Sequence, residues 1–256
     1  MAYFRRLDAR HFTPTELVGG AWNVTEQHVA PAIGLLAHAI EVDAKSRRPD
    51  PLRLGRLSYD ILGTIPLDTV EIDVSVIRPG RTIELVEARL SHGGRPAILL
   101  RAWLAQTYDT SAIAGGGFDP VPGPETMAPW DGTGEWPGGF IASIDARRQY
   151  VAPGRAIGWI RTPHALIEDE AVSPLARAMG LVDTANGLAP LVSTADAAFP
   201  NLDLTAHIFR APVGEWLGCD VTVSFGTDGI GLTHSILHDR DGAIGTVSQW
   251  LTIRPR

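Results

Sequence analysis

The chain has 256 residues, 45% of them hydrophobic and 20% charged, which is enough for one large core or two of ordinary domain size. Its formal charge of −7, from 22 basic and 29 acidic residues, argues against nonspecific binding to nucleic acid or anionic membrane. The single cysteine, Cys219, excludes an internal disulfide and lies in a strand-like run, where a buried apolar role is expected.

Taken in order, Tyr3 to Thr13 is a mixed polar stretch with Phe4, Leu7 and Phe12 as expected anchors. Arg5, Arg6, Asp8 and Arg10 are not followed by an apolar core, and no 18-residue apolar run occurs, so neither a signal segment nor a membrane span is expected. The expected setting is a reducing cytoplasm. Leu17 to Trp22 reads as a short strand or loop. A helix is predicted over roughly Thr25 to Asp43, capped by Thr25 or Glu26, with Val29, Ile33, Leu36 and Ile40 at three- and four-residue steps. Pro31 is too late for the first turn of such a helix, so the regular part begins near Ala30 or the helix kinks there. Small and apolar residues on its remaining sides predict burial nearly all round, as in a helix wrapped by a sheet.

Four strands follow, Leu54 to Leu62, Thr69 to Arg78, Arg81 to His92 and Pro96 to Tyr108, separated by glycine- and proline-bearing turns. Thr110 to Gly139, with three consecutive glycines and five prolines, reads as a crossing connection that Phe118, Met127, Trp130 and Trp136 pin to the surface. Beyond it, strands are expected over Phe140 to Val151 and Gly154 to Thr162. A helix is predicted from about Ala171 to Leu188, capped by Ser173 with Pro174 in the first turn and with Asp183 and Asn186 on one side. The last stretch, Asn201 to Arg256, alternates apolar and polar residues in runs broken at Pro212, Gly226 and Asp241-Gly242, the pattern of an antiparallel meander with one buried face. This meander is a repeat. Sliding Leu57–Leu104 forward by 147 positions, the spacing of Trp103 and Trp250, superimposes Leu57 on Leu204, Ile61 on Ile208, Asp73 on Asp220, Ile83 on Ile230 and Leu90 on Leu237 without a gap.

Each half is thus strand, long helix, then a meander, and a helix wrapped by a meander is the hotdog arrangement. The expectation is an α+β tandem (double) hotdog, with two antiparallel sheets each wrapping a long central helix. Its units are expected at residues 1–110 and 140–256, with 111–139 connecting them. The segments GLVDTANGLAP, NLDLTAHIFRAPVGEWL and DRDGAIGTVSQWLTIRP together resemble the acyl-CoA thioesterase II family and its thioesterase-like relatives. The resemblance covers most of the chain and is much closer in the second half.

The resemblance implies hydrolysis of an acyl-CoA or similar acyl thioester, without a cofactor, in a protein that pairs back to back as a homodimer. It also implies a site built from an Asp on the second helix, a Ser or Thr at the next strand's start, and a Gln on the last strand. Asp183 matches the Asp and Gln249 the Gln, while Asn201 stands where the hydroxyl belongs. An Asn holds a water through its carbonyl or amide but offers no rotating hydroxyl. The family's Gly-Gly pair at the start of the first helix is replaced by His28-Val29-Ala30-Pro31, which weakens a thioester-binding role for that turn, and Gly19-Gly20 lies too far upstream in sequence to replace it.

On chemical grounds, Asp183 would take the proton of a water, and Gln249 would orient that water or donate to the thioester oxygen. Simpler roles stand beside these: Asp183 as a partner of Asn186, Gln249 as an ordinary strand residue, Asn201 as a turn residue. The repeat places Ala102 opposite Gln249, and a requirement of the fold alone should recur in both copies. No HExxH or GxSxG motif occurs, which argues against a metal site and a serine elbow. A catalytically silent double hotdog that binds an acyl chain is the alternative. Arg78, Arg81, Arg147 and Arg155 are candidates for contact with phosphates.

Overall fold

The computed structural model describes residues 1–256. In chain order the elements are β1 (Ala2–Arg6), β2 (His11–Pro14), α1 (Val29–Arg47), β3 (Arg53–Ile61), β4 (Val70–Arg78), β5 (Ile83–His92) and β6 (Arg95–Ala105). After three short 3-10 turns come α2 (Gly139–Ala142), β7 (Asp145–Ala152), β8 (Arg155–Arg161), β9 (Ala165–Ile167), α3 (Pro174–Met179) and α4 (Ala185–Leu188). The chain closes with β10 (Ala197–Ala198), β11 (Asp203–Ile208), β12 (Leu217–Phe225), β13 (Ile230–Asp239), β14 (Gly242–Thr252) and β15 (Arg254–Pro255). No helix is long and apolar enough to cross a membrane.

The repeat holds down to strand ends: β12, β13 and β14 begin and end 147 residues after β4, β5 and β6, the separation that also relates Ser58 and Thr205. The bulge between Leu90 and Ser91 recurs between Leu237 and His238. Ser58 faces Thr205 across the β3–β11 pair, their hydroxyls joined by a 2.9 Å hydrogen bond, so a pseudo-twofold axis passes through this pair.

The expected pair of separate sheets is not what forms. Thirteen strands make one sheet, ordered β7-β8-β12-β13-β14-β11-β3-β6-β5-β4-β2-β1-β9, antiparallel except where β1 runs parallel to β9. The reason lies in the backbone: β3 and β11 would each end a separate sheet with unpaired N–H and C=O groups, and pairing them satisfies both edges.

Helix α1 starts at Val29, capped by His28 rather than by Thr25 or Glu26, which puts Pro31 in the first turn without a kink. Ile33, Leu35, Leu36 and Ile40 are fully buried, and each such side chain contributes about 1.5–3 kcal/mol. The second helix is shorter than predicted. Ser173 caps it and Pro174 opens it, but α3 stops at Met179 and is followed by a 3-10 turn over Val182–Thr184 before α4. A cause is visible at the crossing with α1, where Gly34 and Gly180 meet backbone to backbone. A Cβ on Gly34 would lie 2.7 Å from Ala176 O and from Gly180 Cα. Gly34→Ala is therefore expected to push the helices apart and cost about 1–3 kcal/mol, read as a lower urea midpoint.

Phe4 and Phe12 are buried as expected, whereas Leu7 is exposed. The connection does more than lie on the surface: Trp136 and Met127 are buried. Gly20 and Gly138, both at positive φ, pack against each other and draw the connection onto the loop before α1.

Candidate active site

The 3-10 turn at Val182–Thr184 faces the N-terminus of α1, and Asn201 and Leu202, just before β11, line the same space. Between these elements lies a cavity of about 410 Å³. Its wall includes the polar His28, Asp183 and Asn201 and the apolar Trp22, Trp136, Ile141 and Ile160, and most of its surface is apolar. Trp22, Trp136 and Phe199 meet edge to face with ring centroids 5.0–5.7 Å apart, which stiffens that side. The Trp136 indole donates to Gly187 O at 3.2 Å, fastening the connection to the start of α4.

The three residues singled out from sequence meet here. Asp183 Oδ1 accepts one hydrogen bond from Asn201 Nδ2 and one from Gln249 Nε2, each 2.8 Å. Burial raises the Asp183 pKa from 3.8 to about 6, and the two amide donors hold it from rising further. With Oδ1 doubly occupied, Oδ2 is the oxygen left for other chemistry. Asn201 Nδ2 also donates to Asp203 O at 3.2 Å, so its free acceptor is its own Oδ1.

Gln249 is fully buried in β14 and is not among the residues lining the cavity; the partner its amide meets is the Asp183 carboxylate. Asn186 does not bond Asp183. Its amide donates to Phe199 O at 3.1 Å and its oxygen accepts from Thr233 Oγ1 at 3.1 Å. In the repeat, Asn201 corresponds to Leu54 and Gln249 to Ala102. The pairing of Leu54 with Leu104 recurs as that of Asn201 with Leu251, and both first-half residues are buried apolar core. Only one copy carries the polar set.

His28 was read from sequence only as part of a turn that had lost its glycines. Its imidazole instead lies in the cavity wall, with Nδ1 3.7 Å from Asp183 Oδ2 and its ring 4.4 Å from the Phe140 ring, centroid to centroid. Burial lowers its pKa to about 3, so it is neutral and this contact is no ion pair. Gly20, dismissed as too distant in sequence, does line the cavity, brought there by the bridge between Gly19 and Gln27; its amide is committed to Glu26 O at 3.0 Å. Arg78, Arg81, Arg147 and Arg155 do not line the cavity, whereas Arg254 and Arg256 do, and neither of the latter forms an ion pair or side-chain hydrogen bond. The signal for His28 was available as a side-chain cap one residue before the helix. Nothing in the spacing marked the two terminal arginines.

Residues 18–105 match the acyl-CoA thioesterase N-terminal domain, and residues 122–253 match the acyl-CoA thioesterase C-terminal domain. The chain belongs to the acyl-CoA thioesterase family. Comparison with curated proteins returns no match. Among solved structures, the chain is similar in fold to a putative thioesterase from Novosphingobium aromaticivorans (19% identity, TM-score 0.75, 98% of both chains covered). It is similar also to a hot dog fold protein of unknown function from Alicyclobacillus acidocaldarius (13%, TM-score 0.74, 97% of this chain and 95% of that one). A third is a putative thioesterase II from Thermobifida fusca (18%, TM-score 0.71, 99% and 95%). Within this thioesterase-family chain, Asn201 remains the departure from the expected hydroxyl, and it nevertheless holds the same carboxylate as Gln249.

Proposed function

We propose that the protein hydrolyses an acyl-CoA or a similar acyl thioester. The observation that carries this reading is a buried carboxylate, oriented by two carboxamides, opening on a largely apolar cavity of about 410 Å³. In the proposed step a water lies between Asp183 Oδ2 and Asn201 Oδ1. Its oxygen attacks the thioester carbon as one of its protons passes to Oδ2, and the carbonyl electron pair moves to oxygen. Collapse of that intermediate breaks the carbon–sulfur bond, and the departing thiolate receives the proton from Asp183, giving a carboxylic acid and a free thiol. Gln249 acts through Asp183 as a positioning residue. Arg254 and Arg256 suit the phosphates of a CoA, since guanidinium groups pair with phosphate oxygens in a fork. The same reading takes residues 1–110 and 140–256 as the two hotdog units, 111–139 as their connection, and a homodimer in the cytoplasm as the working form.

The test is thiol release. Medium-chain acyl-CoA incubated with the protein and a thiol reagent should yield free CoA in proportion to enzyme. Cys219 adds no background, because it is buried and its pKa is pushed up to about 12 by that burial and by Asp220. Tight acyl-CoA binding without thiol release would identify a silent acyl-binding protein instead.

A further inference from the structure

An acyl-transfer site needs a donor where the thioester oxygen acquires charge, and neither Asp183 nor its two carboxamides supplies one, since both amides point at the carboxylate. The start of α1 is short of backbone donors as well. The His28 amide donates to Val18 O at 2.7 Å, the Ala30 amide to His28 Nδ1 at 3.1 Å, and Pro31 has none. Val29 alone keeps a free first-turn N–H.

The cap decides the state of the imidazole. Because Ala30 N–H donates to Nδ1, that nitrogen carries the lone pair and the ring proton belongs to Nε2. Nε2 makes no hydrogen bond within the protein, although His28 lines the cavity. Phe140 packs on the ring and fixes its plane. The positive end of a 19-residue helix sits beneath it and opposes a second proton. A ring locked in this tautomer has no lone pair at Nε2 to act as a base there, so its chemistry toward the cavity is donation.

We propose that His28 Nε2–H is the oxyanion donor of this site, a side-chain donor beside the single backbone N–H, that of Val29, which the first turn of α1 keeps free. The inference rests on the hydrolase reading given above. His28 keeps its proton throughout; the proton of the attacking water goes to Asp183 and then to the thiolate. His28 Nδ1 lies 3.7 Å from the free oxygen of Asp183, so the ring that carries the donor stands beside the carboxylate that takes the water's proton.

Two substitutions separate donation from capping. His28→Asn keeps a strong cap, its side-chain oxygen accepting the Ala30 N–H, but removes the donor at the Nε2 position. His28→Gln reaches as far as Nε2 with an N–H. Measured by thiol release, His28→Asn is expected to lower kcat by about 10²–10³-fold with KM changed only a few-fold. Its urea midpoint should stay near that of the wild type. His28→Gln is expected to recover at least about tenfold of that loss. Both should keep the rise of rate with pH that Asp183 sets. If His28→Asn works at near wild-type rate while Asp183→Asn is inactive, the donor assignment is overturned and the hydrolase reading stands. Equal loss in both His28 variants, with lowered urea midpoints, overturns it in favour of a purely structural cap. A wild-type protein that releases no thiol overturns the hydrolase reading and the donor role together.

Discussion

Asp183→Asn is expected to lower kcat for acyl-CoA hydrolysis by about 10³-fold or more while leaving the protein folded, because it deletes the carboxylate proposed to take the water's proton. The substitution is nearly isosteric, and its side-chain oxygen still accepts from Asn201 and Gln249 as Oδ1 does now. Gln249→Ala should be milder, about 10–10²-fold, since it leaves the carboxylate in place with one orienting donor. It carries a second signature. Removing a donor that holds the Asp183 pKa down moves the acid limb of kcat/KM to higher pH, whereas a merely structural loss would lower the plateau without moving the limb. In the wild type, kcat/KM should rise through pH about 6 and then level off, as Asp183 gives up its proton.

The same carboxylate weakens the fold. A folded-state pKa of about 6 against an ordinary 3.8 means that the native protein binds this proton more tightly than the unfolded chain does. Below pH 3.8 both states are protonated and Asp183 costs nothing. As pH rises between 3.8 and about 6 the unfolded chain ionises first, and above 6 the native state carries the whole penalty, about 3 kcal/mol. Asp183→Asn should therefore raise the urea midpoint at pH 7.5 and lose that advantage near pH 4. A variant that is destabilised equally at both values would show that the carboxylate's two hydrogen bonds outweigh its desolvation. The cost of burying Asp183 and its proposed role are two sides of one placement.

Much of this was legible in the sequence, for identifiable reasons. Strand alternation and the apolar matches between Leu57–Leu104 and the last meander located the repeat, and the fold keeps it to the residue at three strands. Asp183, Asn201 and Gln249 were readable because they lie in short motifs within the closer half. What alternation does not encode is which strand edges find each other, so the joining of β3 to β11 was missed and two sheets were expected. Periodicity alone also carried the second helix too far, since the close passage of Gly34 and Gly180 depends on a helix distant in the chain, which a local pattern does not register. His28 escaped because a histidine cap looks like an ordinary turn residue until the cavity beside it is seen. The partner of Gln249 was not legible: a strand position tells which face a side chain takes, not whether the group in front of it is solvent or Asp183.

The axis through Ser58 and Thr205 relates two ends that began alike and no longer are. Where the second copy holds Asn201 and Gln249, the first holds Leu54 and Ala102, packed solid. The two copies thus divide the work: the second supplies the polar set, and the first lends the start of its helix to the same cavity. Under the proposed function, the stoichiometry expected is one acyl group per polypeptide, because the cavity draws its lining from both copies.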